Sequence, residues 1–177
     1  MTLLVGRREA VDLAEEFRVV YAAAFGTEPY FEDAEQAEAW RRTFMLRHAG
    51  RDGFRCAAVR EEGRVVGFAY GYTGGFGQWW TDRVASLVAP GLVAEWLGGH
   101  FEFVELAVLP GYQGRGLGAA LHDALLADLP HERALLSTWR FDTPARRLYL
   151  NRGWVPLVED LDGESSLFGK VLPKPAG

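Results

Sequence analysis

The sequence is poor in the residues that build several common kinds of protein. Its single cysteine, Cys56, cannot close an internal disulfide, and four histidines without a second cysteine offer no zinc ligand set of familiar spacing. No metal is expected, and the cytoplasm is the expected compartment. No apolar run approaches the length of a membrane span, and the opening stretch MTLLVGRREAVDLAEE turns charged before a signal core can form. Neither export nor membrane association is expected. Positive charge is also short: 19 Lys and Arg face 24 Asp and Glu, a net charge of -5, so no global field recruits a nucleic-acid backbone. Internal repeats and linkers are missing as well. What remains is 177 residues, 49% apolar and 24% charged, the balance of one globular domain spanning residues 1–177.

Apolar residues at Leu13, Phe17, Val20, Tyr21 and Ala24 follow helical spacing and predict one helix from Ala10 to Phe25. Asp33 and Gln36 can form a reciprocal cap for a second helix running through Ala37, Trp40 and Phe44 toward His48. The runs FRCAAVRE and RVVGFAYGY, separated by Glu62-Gly63, read as an antiparallel hairpin. Residues 73–100 are glycine-rich at both ends, with short helical pieces between, one stopped by Pro90; this is an insertion folded over the domain. FEFVELAVL then reads as a buried strand, PGYQGRGLG as a loop, and Leu117, Leu121, Leu125 and Leu129 as one side of a helix. RALLST is a further strand, Thr143 and Pro144 open a helix that Gly153 closes, and Trp154–Val158 and Ser166–Leu172 complete the strands. The order predicts an α+β sheet domain.

The sharpest local feature is Gln113-Gly114-Arg115-Gly116-Leu117-Gly118-Ala119 at the mouth of an amphipathic helix. Small residues let backbone amides approach an anion that the helix N-terminus already favours, so phosphate or pyrophosphate is the natural ligand. A tight turn with close helix packing is the plainer alternative. A nucleotide P-loop fails, because Leu117 and Gly118 stand where Lys and Ser or Thr would bind phosphate and Mg²⁺. A dinucleotide fold would place its glycines after the first strand of an alternating chain, whereas these come late.

The stretch ELAVLPGYQGRGLGAALHDALL resembles the acyl-CoA-binding signature of the GNAT superfamily of N-acetyltransferases, and TPARRLYLNRGW resembles that family's second motif. The resemblance implies a mixed central sheet of about six to seven strands flanked by helices. It also implies a CoA pyrophosphate held by the backbone of Gln113, Gly114, Arg115, Gly116, Leu117, Gly118 and Ala119, with a pantetheine arm paired like an extra strand to Leu106, Ala107 and Val108. Acetyl-CoA is then the co-substrate and a small-molecule or peptide primary amine the acceptor; a non-catalytic acyl-CoA-binding or sensing module is the alternative.

Within that resemblance Tyr149 matches the tyrosine that protonates the departing CoA sulfur, against a plain core tyrosine. Glu102 and Glu105 on the motif strand are the carboxylates able to take the amine's proton, directly or through water, with water alone as the alternative base. Strict alternation sets them on opposite faces unless the strand carries a bulge. His100 is a third base candidate, against a merely solvated histidine. Asp142 stands where the family often has an asparagine on the pantetheine; it accepts hydrogen bonds but donates none, and Arg115 and Arg147 are candidates to compensate at the phosphates. Tyr30, Phe31, Trp79 and Trp80 are candidate walls of the acceptor cleft, the Trp pair alternatively packing under a loop or at a homodimer contact. Asp82, Asp33 and Glu28 could attract a cationic acceptor. Cys56 lies on a separate buried strand, which favours direct transfer in a ternary complex over a covalent intermediate.

Overall fold

In the computed structural model, which describes residues 2–174, a short strand β1 (Thr2–Val5) precedes two helices, α1 (Arg7–Asp12) and α2 (Ala14–Phe25). Sequence periodicity joined these helices. The chain instead breaks at Leu13, whose φ of -85° and ψ of 0° end α1 and reopen the helix as α2. β1 was missed because four residues show too little alternation to register. Helix α3 (Ala34–Thr43) starts with the anticipated reciprocal cap: Gln36 N–H donates to Asp33 Oδ1 and Asp33 N–H to Gln36 Oε1, each at 2.8 Å. It widens into a π-helical turn over Phe44–His48. The hairpin follows as β2 (Arg55–Glu61) and β3 (Arg64–Thr73). Its turn residues Glu62 and Gly63 both take positive φ, 50° and 78°, the twist a two-residue antiparallel turn needs.

Helices α4 (Trp79–Leu87) and α5 (Pro90–Trp96) occupy the insertion. Pro90 opens α5 with Ala89 as its cap; the stop comes earlier, at extended Val88. Then come β4 (Phe101–Val108), α6 (Leu117–Leu126), β5 (Arg133–Trp139), α7 (Pro144–Asn151), β6 (Val155–Val158) and β7 (Ser165–Val171). Leu129 is buried but lies beyond the end of α6. The strands form one mixed sheet in the order β1-β2-β3-β4-β5-β7-β6, the expected α+β class.

The chain forms two compact units. The first contains the residues up to Tyr72 and Val104–Ala127. On one face of its strands, Phe17, Tyr21, Phe44, Phe68, Tyr70, Tyr72 and Ala107 make a core in which Phe17 stacks on Phe68 at 4.6 Å. Alternation sends Gly67 to the opposite face, where a Cβ would stand 3.1 Å from Leu121 of α6. Glycine is therefore the residue that lets α6 lie close to β3. The second unit contains Thr73–Phe103 and the residues from Asp128 on. There β5 pairs in parallel with the start of β4 and antiparallel with β7, and Val84, Trp96, Leu97, Leu135, Leu161 and Leu167 form the core.

Candidate functional site: the glycine loop and the carboxyl of Glu105

In the first unit, β4 leads through a 3₁₀ turn at Pro110–Tyr112 into the glycine loop. Gln113 Nε2 donates to Val108 O at 2.9 Å, tying the loop back to its strand. Gly114 and Gly116 take φ of 75° and 80°, and Gly116 caps α6 without a side-chain hydrogen bond. Where a Cβ would stand on Gly111, Gly114 or Gly116 there is open space to 4 Å. The first-turn amides, on Leu117, Gly118 and Ala119, thus face a cradle with no side chain of the loop's own glycines in it. This arrangement fits a pyrophosphate. Arg115 is exposed and props the loop, donating to Gly111 O at 3.1 Å and lying 4.9 Å from the Tyr112 ring centroid.

Glu105 stands on the aromatic face of β4. Ala107 and Leu109 pack on that core, so alternation places Glu105 with them; Val104 packs there too, which breaks alternation and marks a bulge at Val104-Glu105. Register agrees: the bonds Leu109 N to Val66 O and Gly74 N to His100 O enclose eight steps of β3 against nine of β4. Parity therefore no longer separates Glu102 from Glu105. Counting from Val66 and Leu109, Tyr70 falls opposite Glu105.

Burial pushes the Glu105 carboxyl up to about 8, Glu32 adds repulsion, and the Leu106 amide, 3.3 Å from Oε1, pulls the other way. Glu32 itself accepts a 2.6 Å hydrogen bond from the Tyr21 hydroxyl. Tyr21 stacks on Trp40 at 4.7 Å, and its own acidity is suppressed by burial first and then by Glu105. Two carboxyls and an aromatic wall thus sit together in this unit. Neither Glu32 nor Tyr21 was singled out in the sequence. In the sequence Tyr21 belongs to the buried stripe of a helix, and Glu32 lies between Phe31 and the capping residue Asp33 with no pattern of its own.

The other first-unit candidates are less engaged. Tyr30 sets its ring edge-on to Phe25 at 5.0 Å, whereas Phe31 is 67% exposed with φ of 51°. Asp33 is committed to its helix cap, and Glu28 is exposed. Burial and nearby Glu9 raise the Cys56 thiol far above its ordinary range, which keeps it a protonated core group rather than a nucleophile.

In the second unit Tyr149 is buried, its ring edge-on to Phe103 at 5.9 Å and to Trp154 at 6.0 Å. Glu102 is 4% exposed and pairs with Leu135. Asp142, exposed, forms an ion pair with Arg147 at 2.7 Å, so each supplies the other's nearest opposite charge. Trp80 Nε1 donates to Ser137 Oγ at 3.3 Å while its ring packs on the local core; Trp79 is 71% exposed, 5.8 Å from the Arg83 guanidinium. Asp82 accepts from Gly77 N–H. The expectation of a solvated His100 is corrected: its ring is buried against Gly74, Nδ1 accepts from Gly98 N–H at 3.1 Å, and burial lowers its pKa to about 4.

Residues 11–154 match the acetyltransferase (GNAT) family. A GCN5-like protein acetyltransferase of Mycobacterium tuberculosis is 38% identical over 153 residues, covering 79% of this chain and 70% of that protein. The chain belongs to the GNAT acetyltransferase family. Solved structures of distant sequence share the fold. A GNAT-family acetyltransferase of Bacillus cereus has a TM-score of 0.63 at 14% identity, with 98% of this chain and 99% of that chain covered. The PaiA N-acetyltransferase of Thermoplasma acidophilum, solved with coenzyme A, has a TM-score of 0.59 at 14% identity, covering 97% and 99%.

GNAT enzymes use acetyl-CoA, and the open glycine cradle is where this chain's own residues suit the pyrophosphate. Among the described residues no group of three or more His, Cys, Asp or Glu could hold a metal ion, and no helix is long and apolar enough to cross a membrane.

Proposed function

We propose that this GNAT protein transfers the acetyl group of acetyl-CoA to a primary amine by direct attack in a ternary complex. Acetyl-CoA supplies the acetyl group as a thioester. The amides of Leu117, Gly118 and Ala119 hold its pyrophosphate at the N-terminus of α6, and the backbone of Leu106, Ala107 and Val108 pairs with the pantetheine. Glu105 takes one proton from the acceptor ammonium, directly or through water. The neutral nitrogen bonds to the acetyl carbon as the carbon–sulfur bond breaks, Tyr149 gives its phenolic proton to the leaving thiolate, and the second proton shed by the nitrogen makes good the one Tyr149 gave. Amide and free thiol are the products.

The observation that carries this reading is Glu105: a carboxyl held near 8 beside the aromatic wall, on the strand that runs into the glycine loop. A base whose pKa lies near the working pH combines availability with driving force. The buried, protonated Cys56 supports direct transfer over an acetyl-cysteine intermediate. Tyr30, half-buried with its ring edge-on to Phe25, is the aromatic side chain of this wall suited to a cationic amine. The mycobacterial relative's description as a protein acetyltransferase favours a peptide amine among the acceptors.

The test is thiol release from acetyl-CoA across polyamines, aminoglycosides, amino-acid derivatives and peptides, followed with a thiol-reactive chromophore. One thiol per amide formed is expected for at least one class. Tight acetyl-CoA binding with no release from any class would instead identify an acyl-CoA-sensing module.

A further inference from the structure

Glu105 gains a proton in every turnover and must lose it before the next. Among the groups on its side of β4, Tyr70 is fully buried and lies opposite it in the β3-β4 ladder, and the Tyr70 hydroxyl and His48 Nδ1 are 2.9 Å apart. His48 sits at the end of the π-helical turn after α3, half-buried, with its ring beside Tyr70 at 5.8 Å and Tyr72 at 5.2 Å. Glu105 and His48 are both half-buried, and this series joins them through the fully buried Tyr70. We propose that Tyr70 and His48 form the outlet through which the proton collected by Glu105 leaves the protein. The proposal rests on Glu105 being the base.

The steps balance with one proton in and one out. The Glu105 carboxylic acid passes its proton to the Tyr70 oxygen through one bridging water, Tyr70 passes its own proton to His48 Nδ1, and His48 Nε2 releases one to buffer. When the half-exposed ring swings into solvent it takes up a proton at Nε2 and loses the one at Nδ1, which restores the starting tautomer with no net change in protons. Burial and Glu32 disfavour the ionised form of Glu105, while burial, Arg51 and Arg47 lower His48 to about 4, so it rests neutral and transfer through it is concerted, Nε2 giving up its proton as Nδ1 receives one. A hydrogen-bond partner for a buried tyrosine would explain His48 equally well as a static group, so the test must detect proton transfer itself.

Turnover is measured at saturating acetyl-CoA and acceptor in His48→Ala, His48→Gln and Tyr70→Phe, with thermal unfolding and acetyl-CoA binding as controls. His48→Gln keeps a partner for the Tyr70 hydroxyl but cannot shuttle protons. The expected result is a loss of about tenfold in kcat in all three, with acetyl-CoA affinity unchanged. Added imidazole should restore His48→Ala in proportion to its free-base concentration while leaving wild type and Tyr70→Phe unchanged. A His48→Gln enzyme with wild-type kcat, or a His48→Ala loss that imidazole does not repair, overturns the outlet. Glu105→Gln separates the two claims. If it keeps wild-type kcat, the base assignment fails and the outlet with it; if it is slow while the His48 variants are not, only the outlet fails.

Discussion

In the unit that carries the glycine loop, Glu105 is held near 8 by burial and by a second carboxylate, Glu32. In the unit that carries Tyr149, Asp162 is held near 2 by the Ser165 hydroxyl and amide, the Arg83 guanidinium and the Glu164 amide. In the same unit Arg146 and Glu159 pair at 2.6 Å, and Arg147 and Asp142 at 2.7 Å. Carboxylates surrounded by donors tie loops together and stay ionised. Glu105, set among aromatic rings and beside another acid, is costly to ionise, so its carboxylate holds a proton more strongly and is a better base toward an ammonium.

The contrast breaks first at Glu105. Glu105→Gln keeps the shape and removes the base, so kcat should fall by about a hundred- to ten-thousandfold with acetyl-CoA affinity retained, as read by steady-state rates and calorimetric titration. A fall below tenfold would mean that water takes the proton unaided. Next comes the cradle on the same unit. Gly116→Val places a branched side chain into open space at φ of 80°, and acetyl-CoA affinity should drop by about two to three orders of magnitude while the protein stays folded. Unchanged affinity in that folded variant would remove the loop from the binding site.

Tyr149→Phe asks whether the second unit contributes chemistry as well as pairing. The expected loss in kcat is about ten- to a thousandfold, nearer the low end because a CoA thiolate leaves fairly well unaided, with the ring packing on Phe103 and Trp154 preserved. Wild-type turnover would make its hydroxyl a core group.

The smallest effects are on stability, and their signs are opposite. The folded pKa of Glu105 lies above its unfolded value, so ionising it opposes folding: stability falls as pH rises from the ordinary glutamate range toward 8, by about 1.4 kcal/mol per unit at most. Glu105→Gln should therefore raise the melting temperature most at pH 8 and above. Asp162 is depressed, so its contribution is present above the ordinary aspartate pKa and lost as pH falls toward 2. Asp162→Asn should lower the melting temperature at neutral pH and match wild type in strong acid. Equal shifts of one sign in both variants would erase the distinction.

Much of this was legible in the residues, and the parts that were not share a cause. The capping pair Asp33 and Gln36, the Glu62-Gly63 hairpin and the helix opening at Thr143 are local devices, in which neighbours in sequence complete each other's hydrogen bonds. The glycine loop is local too. The environment of Glu105 is not: Tyr21, Glu32, His48 and Tyr70 come from α2, the loop before α3, the π-helical turn and β3, and only the fold assembles them. The bulge that turns Glu105 toward them lies inside a strand that reads as regular, because an extra residue leaves no mark in an apolar run. Aromatic residues were ambiguous for the opposite reason. Trp79 and Trp80 are adjacent in sequence, yet one is largely exposed and the other packs on a core, a difference set by which side of α4 faces the sheet.

The most direct measurement of the account is the ionisation of Glu105 itself, followed by ¹³C NMR of the side-chain carboxyl with Glu105→Gln supplying the assignment. A midpoint near 8 in the free protein is the predicted result. A midpoint in the ordinary glutamate range would contradict it, because Glu105 would then be one more solvated carboxylate and the base would have to be sought elsewhere.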